Sequence, residues 1–368
     1  MAKISTVILE DVQYVAAQMA DTLSVLAGKT VLVTGACGFL PSYFVDLLVA
    51  FNDAALDDPC RVIAVDNFVS GVPDRLQHLA DRADVQVVTA DLSKGLTLDA
   101  QPGYIIHGAS IASPVFYRRY PLETIAVNVD GTRNLLEAAR CGTQSFLYLS
   151  SSEIYGDPEP NAIPTPETYR GSVSCVGPRA CYDESKRLAE TLCFSYHRLF
   201  GLPVKVVRPF NVYGPGQRLD DGRIIPDLIS KALRRQPLVL YSDGRATRAF
   251  CYIRDAIRAM LLVLLSDANG EAFNVGNDTE ETPISRVADV MCQVAGPGIT
   301  VEYHISEDSD YLTDNPNRRY PDLTKLRNLG TWKPEVDIRE GLTRTLRSYQ
   351  DSDHPACSPE AANGTIRR

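Results

Sequence analysis

The 368-residue chain has no uninterrupted apolar run near the roughly 18 residues that a membrane-spanning helix needs. It has no Cys-x-x-Cys pair, no His-x-x-x-His and no His-Glu-x-x-His, and its five histidines are scattered. No membrane span is expected, and a metal site has no support. Positive charge is also short: 37 Lys and Arg face 46 Asp and Glu, for a formal net charge of −9. A nucleic-acid partner is not expected, because binding a phosphate backbone needs a basic surface. A few local arginines can still hold a small anionic substrate. The nine cysteines are odd in number, and several lie in apolar or helical contexts. They predict reduced thiols and a cytoplasmic setting. The amino terminus has one lysine before Glu10 and Asp11, which is not the pattern of a secretory signal.

What the chain has is an alternation. Residues 1–28 read as an extra amphipathic helix. From Lys29 short apolar runs follow one another: TVLVTG (30–35), RVIAVD (61–66), VQVVTAD (85–91), YIIHGAS (104–110) and SFLYLSS (145–151). Helical stretches such as 121–140 lie between them. Continuous Val/Ile/Leu runs signify strands buried on both faces, hence an α/β fold with a doubly wound, Rossmann-type parallel sheet. Residues 29–210 are expected to form the dinucleotide-binding domain. Beyond Pro209 glycine and proline are more frequent, so 211–350 is expected to form a smaller substrate-binding region interleaved with the first. Helices near 255–266 and 338–350 return toward the core. The polar tail 351–368 is expected to be disordered.

Three motifs carry chemistry. In Thr34-Gly35-Ala36-Cys37-Gly38-Phe39-Leu40-Pro41 a glycine turn sits between a strand and a helix, where backbone N–H groups meet a pyrophosphate. Pro41 stands where the usual third glycine would be, and proline is tolerated in a first helical turn. Asp66, followed by Asn67, ends the second strand and suits the ribose hydroxyls of NAD while repelling a 2′-phosphate. Asp91, beside Leu92, is placed to reach the adenine. Tyr182 and Lys186 are four apart and share one helix face. The lysine ammonium, together with the positive nicotinamide, is expected to lower the phenol's pKa, making Tyr182 a general base at a sugar hydroxyl. Ser150-Ser151-Ser152-Glu153 ends the fifth strand, where such sheets present ligands.

The set TGAxGF, HGASxASP, SSSEIYGDP, GPRACYDESKRLAE, RPFNVYGPG and TRAFCYIRD resembles the extended short-chain dehydrogenase/reductase family of nucleotide-sugar enzymes, the NAD-dependent epimerases and dehydratases. Within that family it is most similar to the UDP-glucuronate decarboxylases, from about residue 29 to 350. The resemblance implies bound NAD, a nucleotide-diphosphate sugar (most readily a UDP-sugar) as substrate, and a homodimer. It implies that Tyr182 is the base and Lys186 its partner, with Ser151, Ser152 and Glu153 at the reacting sugar. It adds Gly108, Ala109, Ser110, Asn128 and Pro209 to the cofactor site, and Ser113, Asn211, Arg218, Arg223, Tyr241, Arg248 and Arg319 to the substrate site. The departures are Ser151 for a usual threonine, HGASIASP for HLASPASP with Ile111 at a loop proline, the NVYGPGQRLDDGR segment, and the amino-terminal extension.

The implied chemistry opens with oxidation at the sugar C4 hydroxyl. A C5 carboxylate, β to the resulting ketone, can then leave as CO2 before the ketone is reduced. Rotation and reduction from the other face gives 4-epimerisation, and loss of water from C6 gives 4,6-dehydration. In the family, dehydratases carry an Asp-Glu pair where Ser152-Glu153 stands here, and simple epimerases carry small residues. The Ser-Glu pattern favours decarboxylation, with an ionised Glu153 expected to repel the substrate carboxylate; epimerisation and dehydration stay open. A non-catalytic NAD-binding regulator is disfavoured, since such a protein would be free to lose Tyr182, Lys186 and the serines.

Overall fold

The computed structural model describes residues 4–55, 58–306, 313 and 315–351. Seven strands form one parallel sheet: β1 (Thr30–Thr34), β2 (Arg61–Asp66), β3 (Val85–Thr89), β4 (Tyr104–His107), β5 (Ser145–Leu149), β6 (Val204–Pro209) and β7 (Glu271–Val275). Their spatial order is β7-β6-β5-β4-β1-β2-β3. The chain therefore winds outward from β1 in one direction and returns to wind out in the other. The switch point, where such sheets bind ligands, lies between β1 and β4.

The run 85–89, expected to be buried on both faces, is the half-exposed edge strand β3; in the other strands the two faces explain the apolar runs. Val31, Val33, Val62, Ala64, Ile106 and Leu147 join one core with helix α2 (Phe39–Ala55), while Leu32, Ile63, Val65, Ile105, Phe146 and Tyr148 join another. Alternate residues point to opposite faces, so a buried strand needs apolar residues at every position. The second core is closed by α4 (Thr132–Ala139) and α5 (Ala180–Phe200), through Leu135, Leu136, Ala189 and Cys193. The stretch read as one helix over 121–140 is broken: α3 (Pro121–Ala126) runs into α4 through a wider π turn at Val127–Gly131.

Two strands lie beyond the five that the apolar runs predict. β7 is short and includes the polar Asn274, and it pairs in register with β6. Helix α7 (Ile253–Leu265) packs against β5, β6 and β7, so residues 211–350 contribute to the main sheet as well as to the smaller region. In that region α6 (Ile224–Leu233), α8 (Ile284–Ala295) and α9 (Ile338–Gln350) pack on one another.

The extension is helical: α1 (Thr6–Gln18) is capped by Ser5, whose Oγ accepts from the Val7 N–H. It packs on α2 and α9. The buried Asp11 carboxylate accepts from Tyr252 Oη at 2.7 Å and from Arg344 at 2.8 Å. Apart from Asp351, the tail 351–368 lies outside the described residues. Among the described residues no helix is long and apolar enough to cross a membrane, and no group of acidic, histidine and cysteine side chains could hold a metal ion.

Candidate active site

A cavity of about 880 Å³ lies over the carboxyl ends of the central strands. Its cofactor half starts at the turn after β1. Gly35 has φ +69, and a Cβ there would stand 2.7 Å from the Ala109 Cα. Only glycine lets this turn approach the loop after β4 so closely. Gly38, Phe39 and Leu40 then open α2. Asp66 is buried against the same turn: its Oδ2 accepts from the Cys37 N–H at 2.8 Å and its Oδ1 from the Phe68 N–H at 2.7 Å. Asn67 and Leu92 line the cavity beside it. So does Asp91, but it caps the turn that follows, accepting from Ser93 Oγ at 2.7 Å and pairing with Lys94 at 3.2 Å. Gly108, Ala109 and Pro209 complete this wall, and the buried hydroxyls of Ser110 and Ser150 have no hydrogen-bond partner. The glycine cradle and these hydroxyls fit a dinucleotide.

Asn128 does not belong to this wall. It is fully buried in the π turn, where its Nδ2 donates to Ser185 Oγ at 2.9 Å and its carbonyl oxygen accepts from Thr132. Asn128 thus ties the turn to α5 through its Nδ2, while its buried Oδ1 has no hydrogen-bond partner.

Helix α5 carries Tyr182 and Lys186 side by side into the floor, both buried and both lining the cavity. Burial pushes the Tyr182 phenol up to about 12, against a hydrogen bond with Ser151 and the charge of Arg223. The Lys186 Nζ donates to the Leu149 carbonyl at 2.7 Å and lies 5.9 Å from the centre of the Tyr182 ring. Burial pulls this ammonium down to about 7, opposed by Glu190. Burial thus weakens both charges that a phenolate–ammonium pair would need. Ser151 also caps the turn Ser152–Tyr155, accepting from the Glu153 N–H at 3.1 Å, and Ser152 is buried in that turn.

The substrate half holds a cluster of charge. Two-residue strands Thr247–Arg248 and Arg318–Arg319 pair in parallel, which sets Arg248 beside Arg319. Arg319 donates to Glu153 Oε1, and Arg179 donates to Glu153 Oε2 at 2.5 Å. Arg248 binds the Thr247 carbonyl at 2.8 Å and Asn315 Oδ1 at 3.0 Å. Burial would raise the Glu153 carboxyl, but Arg319, Arg179 and Arg248 outweigh it and hold it down at about 2. Burial, then Arg319 and Arg179, pull Arg248 down to about 10. Three guanidiniums thus surround one carboxylate. This corrects the expectation of a repelling Glu153, whose charge is already taken up by its two arginines.

The remaining predicted residues line the same cavity. Ser113 Oγ donates to the Asp221 carbonyl at 2.6 Å, and Arg223 donates to the Ala112 carbonyl at 2.6 Å. Asn211 has φ +42 and a buried Nδ2 without a partner. Arg218 is bound to Asp220 at 2.7 Å over the Phe116 ring, and Tyr241 stands at the exposed rim. Sequence reasoning missed Arg179 and Tyr117. Arg179 was within reach of it, because a residue three before Tyr182 at the start of a helix lies on the same side. Tyr117 carries no local signal.

A model of the NAD dependent epimerase/dehydratase family matches residues 31–276. UDP-glucuronic acid decarboxylase 1 of Arabidopsis thaliana is 37% identical over 321 residues, covering 87% of this chain and 70% of that protein. UDP-glucuronic acid decarboxylase 5 of the same plant is 36% identical over 312 residues, 85% of this chain and 86% of its own. Among solved structures, UDP-glucuronic acid 4-epimerase of Bacillus cereus, in complex with UDP-glucuronic acid and NAD, is similar with TM-score 0.71 and 27% identity, covering 87% of this chain and 99% of that one. UDP-glucose 4-epimerase of Thermotoga maritima, with UDP-glucose, has TM-score 0.74 and 26% identity, covering 87% and 98%.

Proposed function

The chain belongs to the NAD dependent epimerase/dehydratase family and uses NAD, and from that premise we propose that it converts UDP-glucuronate to UDP-xylose by oxidation at C4, loss of CO2 and reduction of the ketone. NAD, held by the glycine turn at Gly35 and Gly38 and by Asp66, would supply the hydride acceptor and donor. The observation that carries the reading is the cluster of Arg179, Arg248 and Arg319 at Glu153, in which Arg179 and Arg319 bind the carboxylate and Arg248 is bound to carbonyl oxygens alone. A buried surplus of positive charge is costly unless an anion completes it. A sugar with a C5 carboxylate supplies that anion at the sugar itself, whereas one with a neutral CH2OH group offers only its diphosphate.

The chain's own residues then divide the work. Ser151 and Tyr182 face the C4 hydroxyl, and Tyr182 takes its proton as hydride leaves. Lys186 holds its ammonium beside the reacting centre. Glu153 keeps Arg179 and Arg319 aligned, and the arginines clamp the carboxylate until the C–C bond breaks and CO2 leaves. The electron pair flows into the C4 ketone to give an enolate, a proton from solvent is added at C5 to restore the ketone, and Tyr182 returns its own proton to the C4 oxygen when that ketone is reduced. Arg223 and Arg218 are placed for the diphosphate.

A second reading, 4-epimerisation of the same acid, is favoured by the likeness to the Bacillus cereus epimerase. Mass analysis of the product separates the two, since only decarboxylation removes the mass of CO2. A homodimer is part of the reading. Leu188 and Leu199 lie three turns apart on one stripe of α5, with Ile125 on the adjoining α3, and all three are exposed. A cytoplasmic setting is also part of it, and the described cysteines are free thiols.

A further inference from the structure

The catalytic helix does not hold the Tyr182 ring alone. Tyr117, on the short helix Pro114–Arg119, lies face to face with it: the ring centres are 5.2 Å apart and the planes differ by 15°. Rings this nearly parallel, with centres beyond contact thickness, are displaced sideways, which is the offset stack that ring quadrupoles favour. Both rings are buried, and Ile111 joins them in one small apolar cluster.

Tyr117 is itself fixed. Its N–H donates to the Ser113 carbonyl at 2.9 Å. Its carbonyl accepts from Cys181 Sγ at 3.5 Å, which ties it to the residue just before Tyr182. Ser113 caps this helix and also reaches across to the Asp221 carbonyl. Tyr117 is therefore a plate anchored to the same loops that line the substrate half.

We propose that Tyr117 is a positioning residue for the catalytic phenol: its ring sets the plane of Tyr182, and so the direction in which the Tyr182 Oη meets Ser151 and the sugar hydroxyl. The proposal rests on the reading of Tyr182 as the base. A tyrosine's χ2 is a soft, roughly two-fold torsion, so the helix backbone alone does not fix the plane of the ring. The Oη lies on the χ2 axis and does not move when the ring turns; what turns is the in-plane direction of its lone pairs, which must be aimed at the sugar hydroxyl for the proton to transfer. If Tyr117 only filled space, an aliphatic side chain of similar reach would serve as well. The ring-plane account requires a flat group at this position and makes no use of the hydroxyl.

The test is steady-state kinetics of the full chain loaded with NAD, with UDP-glucuronate or whichever UDP-sugar the wild type turns over. Tyr117→Phe is expected to keep kcat within about 3-fold, while Tyr117→Leu loses roughly 10- to 100-fold in kcat with KM changed by less than about 3-fold. Wild-type kcat in Tyr117→Leu overturns the proposal. So does a Tyr117→Phe enzyme as slow as Tyr117→Leu, since the hydroxyl would then be what matters. If the leucine variant fails to fold, Tyr117→His, which keeps a plane, and Tyr117→Gln, which does not, make the same comparison. Tyr182→Phe is run alongside. Wild-type turnover there removes the base reading itself, whereas a slow Tyr182→Phe with a fast Tyr117→Leu removes only this proposal.

Discussion

The ring of Pro41 lies against Gly108, where a Cβ would stand 2.5 Å from the proline Cγ. These two residues exchange roles with the family pattern. The glycine usual in the first turn of α2 is replaced by proline, and the room it would have left is made by a glycine on the opposing loop. HGAS and GFLP are therefore one departure, joined across the contact between α2 and the end of β4. Gly108→Ala is expected to destabilise by about 1–3 kcal/mol through overpacking. Pro41→Gly in the same chain should recover most of that loss. A double-mutant cycle on denaturation midpoints measures the coupling, and strictly additive effects would show that the contact is slack.

Tyr182→Phe should leave NAD bound and slow turnover by roughly 100-fold or more. Turnover at the wild-type rate in that variant would remove Tyr182 from the mechanism.

Lys186 titrates near neutrality in this buried setting, at about 7, because its charge is desolvated. Its ammonium is present below that pH and lost above it. Turnover should accordingly fall on the alkaline side, and Lys186→Met should abolish this limb of the pH profile along with most of the rate. An alkaline limb unchanged in Lys186→Met would assign it to another group.

Glu153 has its folded-state pKa depressed from 4.5 to about 2, with the arginines outweighing burial. The stability it contributes is present above the unfolded value and is lost as pH falls through the folded one. Glu153→Gln should therefore be less stable than wild type at neutral pH, with a gap that narrows below about pH 4.5 and closes near pH 2. Chemical denaturation across this range reads the gap. A gap independent of pH would mean that the ion pairs are not its source.

Arg248 is bound to carbonyl oxygens and not to Glu153. Arg248→Ala should therefore weaken UDP-glucuronate by about 2–5 kcal/mol and leave UDP-glucose little changed. Calorimetric titration of both ligands checks this, and equal losses for the two would put Arg248 at the diphosphate instead of the carboxylate.

The parts of the molecule legible in its sequence are the local ones. Strands buried on both faces announce themselves by continuous apolar runs, and Tyr182 and Lys186 sit four apart on one helix. The glycine turn is equally local. The charge cluster is not, because Arg179, Arg248 and Arg319 are far apart in the chain, and Arg248 meets Arg319 only through the parallel pairing of two-residue strands. β7 was hidden because its short run around Asn274 is a strand only by virtue of its partner β6. Asn128 was misplaced because no simple periodicity anticipates a π turn. The burial that dominates the titration of Tyr182 and Lys186 is a property of the assembled fold, and no local pattern shows it.

On the proposed reading the cavity holds a substrate carboxylate and releases it as CO2. Incubation of the NAD-loaded protein with UDP-glucuronate, followed by mass spectrometry of the nucleotide sugar, tests it most directly. The account predicts a product lighter by one CO2, a UDP-pentose. A product of unchanged mass with a new retention time would contradict it and establish epimerisation in its place.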